Sequence, residues 1–336
     1  MAYYLYLSIG GENKISIYQM EPETGPLHFD RDVVLDGGPG PLAVDPTQKY
    51  LYVGVRSERQ ISSFQIDPKT GDLRPMNTVS LEADPCYLST DRNGRFLLSA
   101  YYGAGLAAVH GIAADGTIKP QAIEWRETAQ RAHCIMTDAS NRYVFVPHTA
   151  GPNLIFQFLF DDERGTLMPN VVPQLVPEPG VGPRHYCYHP SKDVVYFSNE
   201  QGCSVTAYQL DSAVGTLSAF QTISTLPDDF SGQNTCAQIH MTPDGRFLYV
   251  SNRGHDSIAM LSIDDMTGGL TALGQQLTEP TPRTFNVDPT GNFLLAAGQG
   301  SGRLATYRID RQHGTLSPLG TYPIGRNPMW VMVLEM

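Results

Sequence analysis

One pattern recurs along this chain and fixes what it can fold into. A short apolar run leads into an Asp-Pro-type turn. A second run rich in Tyr, Phe, Leu and Val follows, then a third run, then Gly-x-Leu. The first two runs read PLAVDPTQKYLYVGV (41–55), PRHYCYHPSKDVVYFSN (183–199), AQIHMTPDGRFLYVSN (237–252) and PRTFNVDPTGNFLLAAG (282–298). The unit closes as TGDL, DGTI, RGTL, VGTL, GGL or HGTL. Equivalent starts fall at Pro39, Asp84, Ala132, Pro183, Cys236, Pro282 and Pro328, at steps of 45, 48, 51, 53, 46 and 46. That period matches propeller blades of four strands. The runs are short, alternating and bounded by Gly, Pro, Asp and Asn, which is strand chemistry, and no stretch carries a convincing helical period.

The ends of the chain complement each other. AYYLYLSIG opens on a second-strand pattern and continues through KISIYQM and TGPL, whereas PMWVMVLEM supplies only a first strand. Pairing the two closes a ring without exposed sheet edges. The expected fold class is therefore all-β, a seven-bladed β-propeller of four-stranded blades, its N- and C-terminal strands sharing one blade. Residues 1–336 are expected to form this one domain. Two unrelated β-sandwiches are the alternative, which the even spacing disfavours.

Composition narrows the partners. Twenty-three basic residues against 34 acidic leave a net charge of −11, the wrong sign for a nucleic-acid footprint. A hydrophobic content of 41 % is too high for a disordered chain. The five cysteines have no CxxC spacing, which fits a reducing compartment better than a disulfide framework or a zinc site. There is no apolar run of 18 residues, and MAYYLYLSIGG lacks the basic and apolar regions of a signal peptide. These readings predict a cytoplasmic protein without a membrane or nucleic-acid partner, a monomer or weak homo-oligomer, needing no metal or cofactor.

The blade geometry selects candidate residues. In an antiparallel hairpin the start of the first strand lies beside the end of the second. Residues at those two places should line one mouth of the central channel. At the second position of strand one the units carry Gly40, Pro85, His133, Arg184, Ala237, Arg283 and Met329. Just past strand two they carry Arg56, Tyr101, Thr149, Glu200, Arg253 and Gln299, and His148, Asn199 and Asn252 precede three of these. A structural ring would repeat small or apolar residues. This one gathers arginines, histidines and one carboxylate into a basic pocket within an acidic chain. It suits a small anion, because the planar guanidinium donates two hydrogen bonds at once.

Arg184 and Arg253 are the expected anion clamps, with His185, Arg283, Arg56, Asn252 and Gln299 as further substrate contacts. Each arginine has the alternative of a salt bridge between blades. Glu200 is either a general base or the partner that orients an arginine. His133 is either an acid–base group or a hydrogen-bonded structural imidazole. His189 and His240, near the far end of strand one, read as structural, and His148 is a weaker site candidate. Two connectors, Pro169 to Pro183 and Leu226 to Cys236, are long. The second is expected to bring Gln233 and Asn234 over the pocket. Cys134, Cys187 and Cys203 fall in strand patterns and read as buried packing. GQGSGR (298–303) follows a strand without a helix, so it is not a phosphate loop, and HExxH, EF-hand and GxSxG motifs are absent.

GPRHYCYHP (182–190) with FSNE following, DFSGQNTCAQIHMTPDGRFLYVSNR (229–253), PRTFNVDPTGNFLLAAGQ (282–299) and NPMWV (327–331) resemble the seven-bladed propeller lactonase family. The likeness covers essentially the whole chain and is most specific in its second half. That family includes propeller-type 6-phosphogluconolactonases and a fungal 3-carboxy-cis,cis-muconate lactonising enzyme. The resemblance implies lactone-ring chemistry. A site of one His, two Arg and one Glu, proposed for the muconate enzyme, matches His133, Arg184, Arg253 and Glu200. The implied activity is hydrolysis of an anionic sugar-acid lactone, 6-phosphogluconolactonase-like. In it Arg184 and Arg253 bind the anionic group and stabilise the oxyanion, while Glu200 or His133 activates water. The alternatives are lactonisation or isomerisation of a carboxy-muconate, a lactonase acting on an unphosphorylated lactone, and a non-catalytic propeller that binds proteins.

Overall fold

The computed structural model describes residues 2–336, and among them there are strands and turns but no helix. Twenty-eight strands form seven four-stranded antiparallel sheets, the expected fold class. Blade 1 combines residues 3–34 with the strand Pro328–Glu335. Blades 2 to 7 cover residues 39–80, 87–127, 136–175, 183–224, 235–277 and 282–323. The terminal strands pair as expected, Tyr3 opposite Glu335 and Leu7 opposite Val331.

The chain forms two compact units. One holds blades 5, 6, 7 and 1, as residues 1–32, 184–210 and 217–336; the other holds blades 2, 3 and 4, as residues 33–183 and 211–216. In both, the apolar cores lie between consecutive blades. Leu5 and Leu7 of blade 1 pack with Phe293 and Leu295 of blade 7. Val144 and Phe158 of blade 4 pack with Leu98 and Val109 of blade 3. The second strand of each blade is buried on both faces and reads as a near-continuous apolar run, whereas the outer strand is largely exposed.

Two local devices explain why the sequence repeats. The first is the aspartate after strand one. Asp288 accepts the backbone N–H groups of Thr290, Asn292 and Phe293 as well as the Thr290 hydroxyl. Asp45 does the same for Thr47, Lys49 and Tyr50. One carboxylate thereby satisfies the turn that launches strand two. In blade 5 His189 stands in its place; it is buried, and Ser191 N donates to its Nδ1 at 3.2 Å. The second device is the glycine of the closing Gly-x-Leu. Gly314 has φ +71° and lies against the Phe247 ring of the preceding blade, while Tyr249 Oη donates to its carbonyl at 3.0 Å. Only a residue without Cβ meets both demands.

Within the four-blade unit, side chains staple the first and second strands of neighbouring blades together. Ser198 Oγ donates to Ala237 O (3.0 Å), Thr284 Oγ1 to Gln238 Oε1 (3.0 Å), and Val331 N to Thr284 Oγ1 (3.1 Å). These links fix the strands that carry the candidate site.

Three expectations are corrected. The segment from Pro169 is strand Thr166–Leu175 rather than connector, leaving only 176–182 as the loop. It is the outer strand of its blade, where an edge tolerates Pro169 and Pro173. The first strand of blade 4 is only Met136–Thr137, preceded by an isolated Ala132–His148 bridge. Cys203 lies in a turn with φ +47°, not in a strand.

Candidate functional site

The register delivers what the hairpin geometry requires. Pro39 faces Val55, Cys236 faces Asn252, and Pro282 faces Gly298. Each pairing is followed by a β-bulge, between Pro39 and Leu42, Cys236 and Ile239, and Pro282 and Thr284. A bulge re-aims the side chains at a strand end.

In the four-blade unit these positions bring together Arg184, Glu200 and Arg253. Arg184 is 1 % exposed, and its Nε is 3.2 Å from Glu200 Oε2. Arg253 Nη2 donates to Glu200 Oε1 at 3.0 Å and to the Cys236 carbonyl at 3.1 Å. The side chains of Glu200 and Arg253 are each 15 % exposed. Backbone fixes the same atoms, because Cys236 N donates to the carbonyl of Glu200 at 3.0 Å. Blade 5's carboxylate is therefore registered on blade 6. Two guanidiniums thus share one carboxylate in a desolvated place. Such a group holds an anion more strongly than a surface arginine does.

His185 is buried beside Arg184, and its ring lies 6.3 Å from that of Trp330 on the last strand. Gln299 Nε2 donates to Asn327 Oδ1 (2.5 Å) and approaches Met329 Sδ (3.4 Å). Arg283 is the second residue of the first strand of blade 7 (Pro282–Val287), half-buried, its N–H donating to Thr281 O at 2.7 Å. All three belong to the same unit as the arginine pair.

Two expected substrate contacts are corrected. Asn252 is fully buried, and its amide is spent within the protein. Its Nδ2 donates to Thr225 O and Ser257 Oγ, and its Oδ1 accepts from Thr225 Oγ1 and Asn234 Nδ2. Asn234 is likewise committed, its Oδ1 accepting from His255 N.

The other unit carries Arg56 and His133. Arg56 Nη2 pairs with Asp84 at 2.5 Å, the salt bridge weighed as its alternative. His133 is buried, its backbone N–H donating to Pro147 O (3.0 Å) and its ring edge-on to Tyr102. His148 is buried too, its Nδ1 against Gln130 O at 3.0 Å, and burial pushes its pKa down to about 4. Among the described residues no group of three or more His, Cys, Asp and Glu has a metal-binding arrangement. Reading the sequence missed Thr225 and the Cys236 peptide, which support the cluster from behind. The signal present was their adjacency to the long 226–236 connector.

The comparisons with known proteins agree with this architecture. A family model described as lactonase, seven-bladed beta-propeller, matches residues 3–333. A 6-phosphogluconolactonase of Pectobacterium carotovorum is 35 % identical over 244 residues, 73 % of each chain. One from Enterobacter is 34 % identical over 330 residues, 98 % of this chain and 85 % of that protein. The solved periplasmic gluconolactonase of Pseudomonas aeruginosa superposes with a TM-score of 0.92 at 25 % identity, over 100 % of this chain and 99 % of that one.

Proposed function

The chain belongs to the seven-bladed β-propeller lactonase family, and from that premise we propose that it hydrolyses 6-phosphoglucono-1,5-lactone to 6-phosphogluconate. The observation that carries the reading is the buried cluster in which two guanidiniums, Arg184 and Arg253, meet the one carboxylate of Glu200 at 3.2 and 3.0 Å. Water adds to the lactone carbonyl, and the carbonyl oxygen becomes an oxyanion. Collapse of the tetrahedral adduct breaks the ring C–O bond. The ring oxygen leaves as a hydroxyl, and the product is a carboxylate with release of a proton. Arg184 and Arg253 meet the developing negative charge, an effect commonly of about 3–4 kcal/mol per donor.

Both oxygens of Glu200 face guanidiniums, which favours the orienting role over proton transfer. His133 is retained as the acid–base candidate on its sequence position alone. Arg283 and Gln299 are proposed to contact the substrate's polar groups. The similarity to a gluconolactonase makes unphosphorylated glucono-1,5-lactone the competing substrate. None of the five cysteines is in a disulfide, which supports a cytoplasmic location. Among the described residues no helix is long and apolar enough to cross a membrane.

The deciding experiment is acid release by purified protein from a panel of 6-phosphoglucono-1,5-lactone, glucono-1,5-lactone and carboxy-muconolactone. Preferred turnover of the phosphorylated lactone supports the proposal. A muconolactone preference, or no turnover of any of the three, overturns it.

A further inference from the structure

Thr225 directly follows the last strand of blade 5, in none of the positions from which substrate contacts were selected, and it is 1 % exposed. Its backbone N–H donates to Cys203 O at 2.9 Å. Its hydroxyl lies 2.8 Å from Asn252 Oδ1 and 3.2 Å from Cys236 Sγ. Its carbonyl accepts from Asn252 Nδ2 (3.0 Å) and Gln275 Nε2 (3.2 Å). Each contact has a consistent role. The threonine's one hydroxyl proton is shared between Asn252 Oδ1 (2.8 Å) and the Cys203 carbonyl (2.9 Å), and its oxygen accepts the Cys236 thiol proton. Burial pushes that thiol up to about 12, so the proton is present at neutral pH.

The Cys236 peptide held in this way touches both charged partners of the site. Its N–H holds the Glu200 carbonyl at 3.0 Å, and its carbonyl holds Arg253 Nη2 at 3.1 Å. Arg253 also directly follows Asn252 in the chain. One threonine therefore reaches Arg253 by two routes: through the Cys236 peptide and through the backbone of Asn252. A guanidinium misplaced by about 1 Å loses much of its value at a reacting atom.

We propose that Thr225 is a positioning residue for the reaction, clamping Asn252 and the Cys236 peptide so that Glu200 and Arg253 keep their spacing. Asn252 belongs to this clamp and acts through Arg253, not on the substrate. The inference rests on the lactonase reading for its kinetic consequence, but the clamp itself is measurable without turnover.

The test compares Thr225→Val, which keeps shape and removes the hydroxyl, with Thr225→Ser, which keeps the hydroxyl. Amide hydrogen exchange is followed in segment 235–237 and in strand Phe293–Gly298, a reference in blade 7. Kinetics are read on 6-phosphoglucono-1,5-lactone. In Thr225→Val, exchange in segment 235–237 should accelerate about tenfold and kcat should fall about tenfold, with KM changed far less. The reference strand should stay unchanged, and Thr225→Ser should restore both values. Unaltered exchange, faster exchange with unaltered kcat, or a loss that Thr225→Ser does not rescue overturns the proposal. Wild-type protein without lactonase turnover sinks the functional reading instead. The exchange arm then still decides whether Thr225 holds the Cys236 peptide.

Discussion

Glu200 and Arg253 stand 53 residues apart in the chain and on different blades, yet they meet at 3.0 Å through Oε1 and Nη2. Arg184 takes up the opposite carboxylate oxygen, so one acid sets the spacing of two cations. If that spacing is its role, Glu200→Gln keeps an acceptor for one guanidinium and loses about tenfold in kcat/KM, whereas Glu200→Ala loses about a hundredfold or more. Steady-state acid release separates the cases. Equal, near-complete loss in both variants would show that Glu200 moves the proton.

Arg184 carries the largest expected effect. Its removal takes away an oxyanion donor, and Arg184→Ala is expected to lower kcat/KM by about 10²–10³-fold. It also leaves the Glu200 carboxylate with one partner fewer in a desolvated site, a change that commonly costs about 3–5 kcal/mol. Arg184→Lys should restore stability more than activity, because a point charge does not reproduce the planar fork. Urea unfolding alongside the kinetics checks both halves.

Gly314 and Gly103 should respond oppositely to alanine. At Gly314 the backbone has φ +71° and a Cβ would run into the Phe247 ring, so Gly314→Ala should cost about 2–4 kcal/mol. At Gly103 a Cβ meets nothing within 4 Å, and Gly103→Ala should stay within about 0.5 kcal/mol of the wild type. Melting temperatures of the two variants decide it. An unchanged Gly314→Ala would contradict the close packing of the closing turn.

Acid should loosen the protein before its carboxylates are protonated. Burial lowers His110 and His148 from 6.5 to about 4. The unfolded chain then binds protons near pH 6.5 that the folded chain refuses until about pH 4. The stability from these neutral imidazoles is complete above about pH 6.5 and is lost as pH falls through about 4. In that window the slope is about 1.4 kcal/mol per pH unit for each histidine. His110→Phe, next to Trp125, should reduce the slope by one histidine's share in urea titrations between pH 4 and 7. An undiminished slope would show that His110 does not contribute.

Asp288 holds its turn through four donors while 1 % exposed. Asp288→Ala strands three backbone N–H groups and should cost about 2–4 kcal/mol, and Asp288→Asn should recover part of it. Thermal unfolding measures the difference.

The seven-unit organisation was legible because local turn chemistry recurs: an aspartate holds the turn after strand one at Asp45, Asp91, Asp138 and Asp288. Arg184, Glu200 and Arg253 could be singled out because an antiparallel hairpin fixes which strand ends lie together, whatever the blade. The inward turn of Asn252 was not legible. It shows only in the amide's partners, Thr225, Ser257 and Asn234, to which no spacing points. The Arg56 partner was equally hidden: Asp84 marks the start of the next unit but precedes that unit's first strand, Tyr87–Thr90, and spacing alone does not aim its carboxylate at Arg56. Thr225 escaped notice because nothing in its residue type distinguishes it from other threonines; its burial and its partners do.

The pairing of Tyr3–Ile9 with Pro328–Glu335 bears on how the protein is made. Tyr3–Ile9 is synthesised roughly 320 residues before the strand that completes its blade. At usual translation rates that interval is roughly 15–60 s. Throughout it a fully apolar strand edge is open to other nascent chains. Crowded overexpression therefore favours exchange of this strand between molecules, and a lower expression level should raise the monomeric yield.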